Sequence, residues 1–220
     1  MSKRGLTKTD DKVLAAISLA MEQNQLAQVA VVALSDAKAS SNLCRRLASR
    51  FQRANREALL VETLVDCHGG QQWHFDDISC HQAIEEHSSF DRLPSCSHQQ
   101  HPVTREDLEH ALLRLHQEYP VIVGDVGTLQ SPDAEAFIAG FGAVVLVVSA
   151  GVDEEHSVNE AMQMFRCFEL PVLAVVMEHG SNPRLGKQLA GSLRRRSWAK
   201  KLADWCENCN WMNGLRSSLG

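Results

Sequence analysis

Short apolar runs alternate with amphipathic segments along most of the chain. Strands that are apolar on both faces are typical of parallel sheets, because helices cover both sides of such a sheet. The pattern therefore predicts an α/β fold in which a mostly parallel sheet lies between two layers of helices. Five runs, largely apolar and rich in β-branched residues, are the predicted strands: 28–34, 58–65, 121–126, 143–149 and 172–177.

The segments between these runs have the periodicity of helices. Val13, Ile17 and Met21, for example, recur at the spacing that places apolar side chains on one face of a helix. Pro132 favours a helix start, and the acidic residues 153–155 suit the positive N-terminal end of the next helix. Six helices are predicted, at 12–25, 40–56, 108–118, 132–141, 153–168 and 193–205.

Length and composition bound the class of protein. The 220 residues are 44% hydrophobic and 22% charged, which is typical of a globular protein and predicts a single domain over 1–220. The formal net charge of -5 argues against a protein whose whole surface binds nucleic acid. No nucleic-acid partner is therefore expected.

The sequence favours a cytoplasmic location. The longest purely apolar run, 143–148, is far shorter than the roughly 20 residues that cross a bilayer. The N-terminal residues are charged and contain no signal-peptide core. Seven cysteines are an odd number, and we expect them to be thiols in a reducing compartment.

The loop after the first strand is where an open α/β sheet places its ligand. Of the phosphate-binding motif G-x-x-x-x-G-K-[ST], only the lysine and the hydroxyls have counterparts here, in Lys38, Ser40 and Ser41. The glycines of that motif let backbone N–H groups point at the phosphates. This chain has no glycine between Gly5 and Gly69.

An acidic residue in the same loop opposes phosphate binding. A carboxylate at Asp36 would accept the free N–H groups of the helix itself and would repel a phosphate. We therefore expect Ser35 or Asp36 to cap the helix and Lys38 to be solvated. The alternative is a nucleotide site that functions without the glycines.

The order of these segments resembles the deviant Walker-type ATPases of the partitioning and septum-placing class. Most similar is the cytoplasmic domain of the bacterial tyrosine kinases that govern capsule and exopolysaccharide synthesis. Its pattern YDxVIIDTPP…DA…ADGVLLVVRAG is matched by YPVIVGDVGTLQSPDA and GAVVLVVSAG in 119–151, and its LLVDAD by LLVETL in 59–64. The resemblance extends over 28–178 and implies a three-layer, P-loop NTPase-like domain.

The resemblance also implies a role for two acidic residues. Asp125 falls on the Walker B aspartate, which would contact Mg²⁺ directly or through water, and Glu62 stands at the second-strand aspartate. The alternative, which the missing phosphate-binding loop favours, is that Asp125 is a carboxylate hydrogen-bonded to loop N–H groups. If the site is competent, ATP and Mg²⁺ would be bound by Lys38, Ser40, Ser41, Glu62 and Asp125.

The chain departs from the family in ways that matter for activity. The resembled kinases end in a cluster of tyrosines, whereas this chain has one tyrosine, Tyr119, far from its C-terminus. Phosphoryl transfer depends mostly on positioning the phosphates and stabilising their charge. The absence of the glycine cradle therefore favours a protein without catalytic residues, which keeps the fold as a docking platform.

A stretch rich in cysteine and histidine, 66–104, is predicted to be a long excursion from the sheet. Zinc would need four ligands, but no pair in this stretch has the usual C-x₂₋₄-C spacing. A histidine-rich surface loop is therefore favoured and no metal is expected. The alternative zinc ligands are Cys96, His98 and His101 with Cys67 or Cys80.

The remaining cysteines are not expected to be reactive. Cys206-x-x-Cys209 follows a predicted helix, whereas a thioredoxin-like motif precedes one, so a redox or metal role is disfavoured. Cys44 and Cys167 are expected to be small core residues.

Two predicted helices carry a cationic face. By analogy with the resembled kinases, five arginines of the 40–56 helix could contribute to subunit contacts. The final helix is basic and has tryptophans at helical spacing, so it either docks on anionic lipid or an acidic partner or packs its tryptophans on the sheet. Its candidate docking residues are Arg194, Arg195, Arg196, Trp198, Lys200 and Lys201.

These observations favour a non-catalytic accessory protein of exopolysaccharide or capsule biosynthesis and export. It would bind a membrane-anchored chain-length regulator, an export component or its own copies, in the cytoplasm or at the inner face of the membrane. No cofactor is expected. The alternatives are an active ATP-binding tyrosine autokinase or partitioning-type ATPase, and a regulator of cell division or surface-organelle placement.

Overall fold

The computed structural model describes residues 8–54, 56–62, 79–94, 104–131 and 134–178. The chain divides into two compact units, one of residues 1–149 and 153–178 and the other of residues 150–152 and 179–220. Every element named below belongs to the first unit. The expectation of a single domain over 1–220 stays a prediction, because most of the second unit lies outside the described ranges.

Within the described ranges, six strands form one sheet in which each pair of neighbours is parallel. Their order across the sheet is β3-β2-β4-β1-β5-β6, which confirms the predicted α/β class. The chain leaves β1 toward one edge and leaves β4 toward the other, so the direction of winding reverses between these two strands. The strands are β1 (Gln28–Ala33), β2 (Ala58–Glu62), β3 (Asp91–Leu93), β4 (Val121–Thr128), β5 (Val144–Ser149) and β6 (Val172–Glu178).

Helices cover both faces of this sheet. The first two helices pack on one face, and the fourth, fifth and sixth pack on the other. Along β1 the side chains alternate between the two cores, because successive residues of a strand point to opposite faces. Val29 and Val31 face the first two helices, while Ala30 and Val32 face the other core. The helices are α1 (Lys8–Gln23), α2 (Ala37–Arg53), α3 (Ser79–Gln82), α4 (Arg105–Leu115), α5 (Ala134–Phe141) and α6 (Glu155–Cys167).

The interpretation of 66–104 as an excursion from the sheet is wrong for part of that stretch. Asp91–Leu93 is a strand that pairs with β2, from Leu59 opposite Asp91 to Val61 opposite Leu93. It was missed because three residues, two of them charged, show no strand periodicity. Of the zinc candidates, only Cys80 lies in the described residues, where no group of three or more His, Cys, Asp or Glu side chains is placed to hold a metal.

One prediction about the cysteines is confirmed and one is wrong. Cys44 is buried, whereas Cys167 is exposed. On α6 the core-facing residues are Ala161 and Phe165. Cys167 follows Phe165 by two residues, about 200° further around the helix, and therefore points away from the sheet.

The predicted final helix and its six docking residues cannot be compared with the structure. Residues 193–205 lie outside the described ranges, as do both members of the Cys206-x-x-Cys209 motif. Among the helices that are described, none combines the length and the apolar character needed to cross a bilayer.

Candidate functional site

The connection between β1 and α2 is short. Only Leu34, Ser35 and Asp36 separate the strand from the helix. In the motif G-x-x-x-x-G-K-[ST] six residues precede the lysine, whereas here four residues separate Ala33 from Lys38. The connection between strand and lysine is therefore shorter than the loop of that motif.

Asp36 caps α2, as predicted. Its backbone is extended (φ -113, ψ 93), and its Oδ1 accepts a hydrogen bond from the N–H of Lys38 at 3.0 Å. The N–H of Ala39 donates to the backbone oxygen of Asp36, also at 3.0 Å. These N–H groups are among those that a phosphate at the helix N-terminus would use. The Lys38 residue itself is exposed, as expected.

The carboxylate of Asp125 lies beside the hydroxyls of α2. Ser40 Oγ is 2.6 Å from Asp125 Oδ1, and Ser41 Oγ is 2.5 Å from Oδ2. The N–H of Gly127 also donates to Oδ1, at 3.2 Å. Ser40 and Asp125 are both buried. The structure therefore brings together three of the five candidate nucleotide-binding residues, at the point where the winding of the sheet reverses.

A β-bulge in β4 fixes the geometry around Asp125. Val31 of β1 pairs with Asp125, but Val32 pairs with Gly127, so Val126 is the extra residue. Gly127 has φ +77, a left-handed conformation that side chains rarely adopt. The extra residue, Val126, lies between Asp125 and Gly127, so the orientation of the Val126–Gly127 peptide places the N–H of Gly127 on the Asp125 carboxylate. The Asp125 carboxylate thus accepts a hydrogen bond from one loop N–H, as expected for a carboxylate at the end of the strand without a bound metal. It also accepts hydrogen bonds from two hydroxyls.

Burial raises the pKa of Asp125 above its ordinary value. The hydrogen bonds from Ser40, Ser41 and Gly127 act in the opposite direction, and the charge of Glu62 adds to the increase in pKa. The folded protein therefore holds the proton of Asp125 more tightly than the unfolded chain does. Its contribution to stability is present in acid and is lost as the pH rises from about 4 through the raised pKa.

Asp125→Asn should remove this pH dependence. Between about pH 4 and the raised pKa, the folded wild-type protein binds more protons than the unfolded chain, so its free energy of unfolding falls with increasing pH. The variant lacks this titration, and its stability relative to the wild type should therefore increase with pH, by roughly 1.4 kcal/mol for each unit of pKa shift. Urea denaturation of both proteins at several pH values measures the difference. Parallel curves would contradict the prediction.

Glu62, opposite Asp125 on the neighbouring strand, is held by two arginines. Its side chain is 1% exposed, and its Oε2 accepts from Arg92 Nη2 at 2.6 Å. Its Oε1 lies 3.4 Å from Arg45 Nη2, and Arg92 also pairs with the exposed Glu85 at 3.0 Å. The hydrogen bond that Arg92 donates to Glu62 raises the pKa of Arg92. Glu62 is therefore neutralised by the protein's own cations.

Tyr119, the one tyrosine of the chain, is packed into the fold. Its hydroxyl donates to Asp91 Oδ2 at 2.9 Å, and its side chain contacts the core on the α4–α6 face. Burial, with this hydrogen bond, raises the pKa of Tyr119. A phosphate on this hydroxyl would lie against the Asp91 carboxylate and would be repelled by it.

Two arginines that contact the candidate site were not predicted from the sequence as part of it. Arg92 has no signal in the sequence, because it lies on a three-residue strand beyond a stretch without periodicity. Arg45 was noted only as one of the arginines of a cationic helix. Its contact with Glu62 depends on the angle at which α2 packs across β2, and a single sequence does not reveal that angle.

These residues do not fit ATP and Mg²⁺ in the arrangement described. Both carboxylate oxygens of Asp125 already accept hydrogen bonds from the hydroxyls of α2, so neither is free to bind a cation in this arrangement. Asp36 occupies the N–H of Lys38 in the first turn of the helix, and Glu62 is paired with arginines. No chemical step is therefore derived through a bound nucleotide.

Comparison with known proteins found similarity to solved structures but none to a family model or to a curated sequence. No protein-family model matches the chain, and no curated protein matches it. Among solved structures, the BceF tyrosine kinase domain is 16% identical, with a TM-score of 0.63 over 76% of this chain and 75% of that chain. The kinase domain of the Escherichia coli tyrosine kinase ETK is 13% identical, with a TM-score of 0.61 over 78% and 77%. The septum site-determining protein MinD of Pyrococcus horikoshii, complexed with Mg-ADP, is 14% identical, with a TM-score of 0.56 over 69% and 70%.

These similarities confirm the fold that the sequence resemblance implied. The chain has the three-layer, P-loop NTPase-like architecture shared by bacterial tyrosine kinase domains and MinD-type ATPases. At such low identity the likeness concerns the fold alone, and activity has to be argued from the site.

Proposed function

We propose that this chain is a non-catalytic accessory protein of exopolysaccharide or capsule biosynthesis and export, which acts through contacts with other proteins. Its partner would be a membrane-anchored chain-length regulator, an export component or a second copy of the chain. It would work in the cytoplasm or at the inner face of the membrane. The kinase-like fold and the sequence resemblance support this context, and the site supports the absence of catalysis.

One observation carries the proposal: the anion-binding end of α2 is occupied by the protein's own carboxylate. Asp36 accepts the N–H of Lys38 in a connection shorter than the loop of the phosphate-binding motif. Electrostatic stabilisation of a transferring phosphoryl group needs donors that are free to point at it. The N–H of Lys38, already bonded to a carboxylate, is not free to supply this stabilisation.

The environment of Tyr119 supports the same conclusion. An autokinase needs a tyrosine that can leave the fold and accept a phosphoryl group. Tyr119 instead hydrogen-bonds Asp91 and packs on the core. Tyrosine autophosphorylation of this chain is therefore not expected.

One observation favours a second candidate, an ATP-binding protein of the kinase or partitioning type. The hydroxyls of Ser40 and Ser41 meet Asp125 at the carboxyl ends of the central strands, where such a protein would hold Mg²⁺. For this function the hydroxyls would have to exchange Asp125 for a metal ion. The helix cap at Asp36 would also have to open.

Titration of Mg-ATP into the purified chain distinguishes these candidates. We expect calorimetry to detect either no binding or binding only at millimolar concentration, because the glycines of the phosphate-binding motif are absent and Asp36 accepts the N–H of Lys38. The Asp125→Ala variant should behave like the wild type. Micromolar binding that Asp125→Ala abolishes would contradict the proposal and establish the second candidate.

The surrounding genes test the biological context independently of nucleotide binding. Glycosyltransferase and polymer-export genes beside this gene are expected if the protein serves polysaccharide production. Flagellar or cell-division genes would instead favour a regulator of cell division or surface-organelle placement.

A further inference from the structure

A cavity of about 480 Å³ lies between α1, α2 and the residue that precedes β3. Arg45, Arg46, Arg50 and Arg53 of α2 line it, together with Phe90. Its volume is within the range of small-molecule sites. Arg50 lies twelve residues beyond Lys38, about 18 Å along the helix axis, so the part of the cavity around Arg50 is far from the start of α2.

Among the residues that the structure describes, the charges around this cavity leave two arginines without an acidic partner. Arg45 pairs with Glu62 at 3.4 Å, and Arg46 pairs with Glu178 at 3.6 Å. Neither Arg50 nor Arg53 forms an ion pair within the described part of the chain. Among the described residues that line the cavity, the acidic one is Asp11 of α1, which is exposed. The described lining is therefore predominantly positive.

The spacing of the arginines concentrates this charge. Arg46, Arg50 and Arg53 are separated by four and three residues, which places them on one face of α2. Like charges one turn apart repel each other in a helix. The negative C-terminal end of α2 favours Arg50 and Arg53, but it does not account for four arginines around one cavity beside an aromatic ring. A bound anion would remove the repulsion.

We propose that this cavity binds a small ligand carrying two or more phosphate groups. Arg50 and Arg53 would hold the phosphates, because the planar guanidinium donates two parallel hydrogen bonds to such oxygens. Phe90, which is partly buried, would form an apolar wall for the rest of the ligand. This ligand site would allow a non-catalytic platform to respond to a phosphorylated metabolite.

Calorimetric titration with inorganic pyrophosphate, in the absence of Mg²⁺ and at low ionic strength, tests this proposal. We expect micromolar binding that weakens with added salt, since exposed charges are screened. Arg50→Ala and Arg53→Ala should each reduce the affinity about tenfold or more, because each removes charge-assisted hydrogen bonds. Arg166→Ala, which removes an exposed arginine of α6 outside the cavity, is the matched control and should bind like the wild type.

Several results would overturn the proposal. The first is that pyrophosphate does not bind. The second is that Arg166→Ala weakens binding as much as Arg50→Ala does, which would indicate only nonspecific attraction. A loss of affinity in Lys38→Ala but not in Arg50→Ala would assign the phosphate to the start of α2. If Arg50→Ala and Arg53→Ala change the sedimentation of the chain while pyrophosphate does not bind, the face contacts a second copy instead. Thermal unfolding without ligand should show both variants folded, and Arg50→Gln provides a second variant if Arg50→Ala is unstable.

Discussion

Arg92→Met is expected to lower the free energy of unfolding by about 3 kcal/mol. The substitution would leave the Glu62 carboxylate, which is 1% exposed, without its 2.6 Å partner. Arg45 would remain at 3.4 Å, but its side chain is 55% exposed and would compensate only in part. Methionine keeps much of the volume of the arginine stem, so little of the loss should come from packing. Urea denaturation at neutral pH measures the change.

Two controls separate the buried charge from the other effects of this substitution. In a Glu62→Gln background, Arg92→Met should cost only about 1 kcal/mol, because no buried charge is left unpaired. Arg105→Met removes an arginine whose ion pair with Glu109 is exposed, and it should change stability by no more than about 0.5 kcal/mol. Equal costs of Arg92→Met in both backgrounds would show that Arg92 does not neutralise Glu62.

Phe141→Ala is expected to lower the free energy of unfolding by about 3–5 kcal/mol. Phe141 ends α5, is fully buried and is among the largest side chains of the core on the α4–α6 face. Its ring lies against Gly124 of β4. Truncation would leave a cavity between helix and sheet, next to the strand that carries Asp125. Denaturant unfolding of the variant tests this value, and a loss below about 1 kcal/mol would contradict it.

Gly124→Ala tests the same contact from the other side. A Cβ at this position would lie 2.6 Å from Cε2 and 2.7 Å from Cε1 of Phe141, closer than carbon atoms approach. Overpacking of this kind costs about 1–3 kcal/mol. In the Phe141→Ala background the added methyl group would enter the vacated space, and Gly124→Ala should then be nearly neutral. Additive losses would show that the ring and the glycine do not share this contact.

Both predictions concern residues that position the candidate site. Glu62 is the register partner of Asp125, and Gly124 precedes Asp125 on β4. A displacement of β4 away from α2 would separate the Asp125 carboxylate from the hydroxyls of Ser40 and Ser41. The titration of Asp125 is therefore a local reporter for these variants, alongside their overall stability.

The central strands were predictable because their burial is complete. The expected ranges 28–34 and 143–149 agree closely with β1 and β5. A strand covered on both faces must be apolar at nearly every position, and that pattern is legible in one sequence. The edge strand Asp91–Leu93 has no such requirement, and it was missed.

The start of α2 was harder to place than its body. Apolar periodicity predicted a start at residue 40, whereas the helix begins at Ala37. Its first turn contains small and polar residues, so the cap rather than the periodicity determines where it begins. Ser40 and Ser41 consequently lie inside the helix, at the positions from which their hydroxyls reach Asp125.

The amino-acid sequence by itself determined the layered α/β class, the approximate strands and the absence of a glycine-rich phosphate loop. Each of these follows from residue types at neighbouring positions, where burial and backbone freedom act locally. Only the tertiary structure decided that Arg92 and Arg45 neutralise Glu62, that Tyr119 bonds Asp91, and that α2 arginines surround a cavity with Phe90. Those contacts join residues from separate elements, and they exist because parallel pairing and helix packing bring distant parts of the chain within hydrogen-bonding distance.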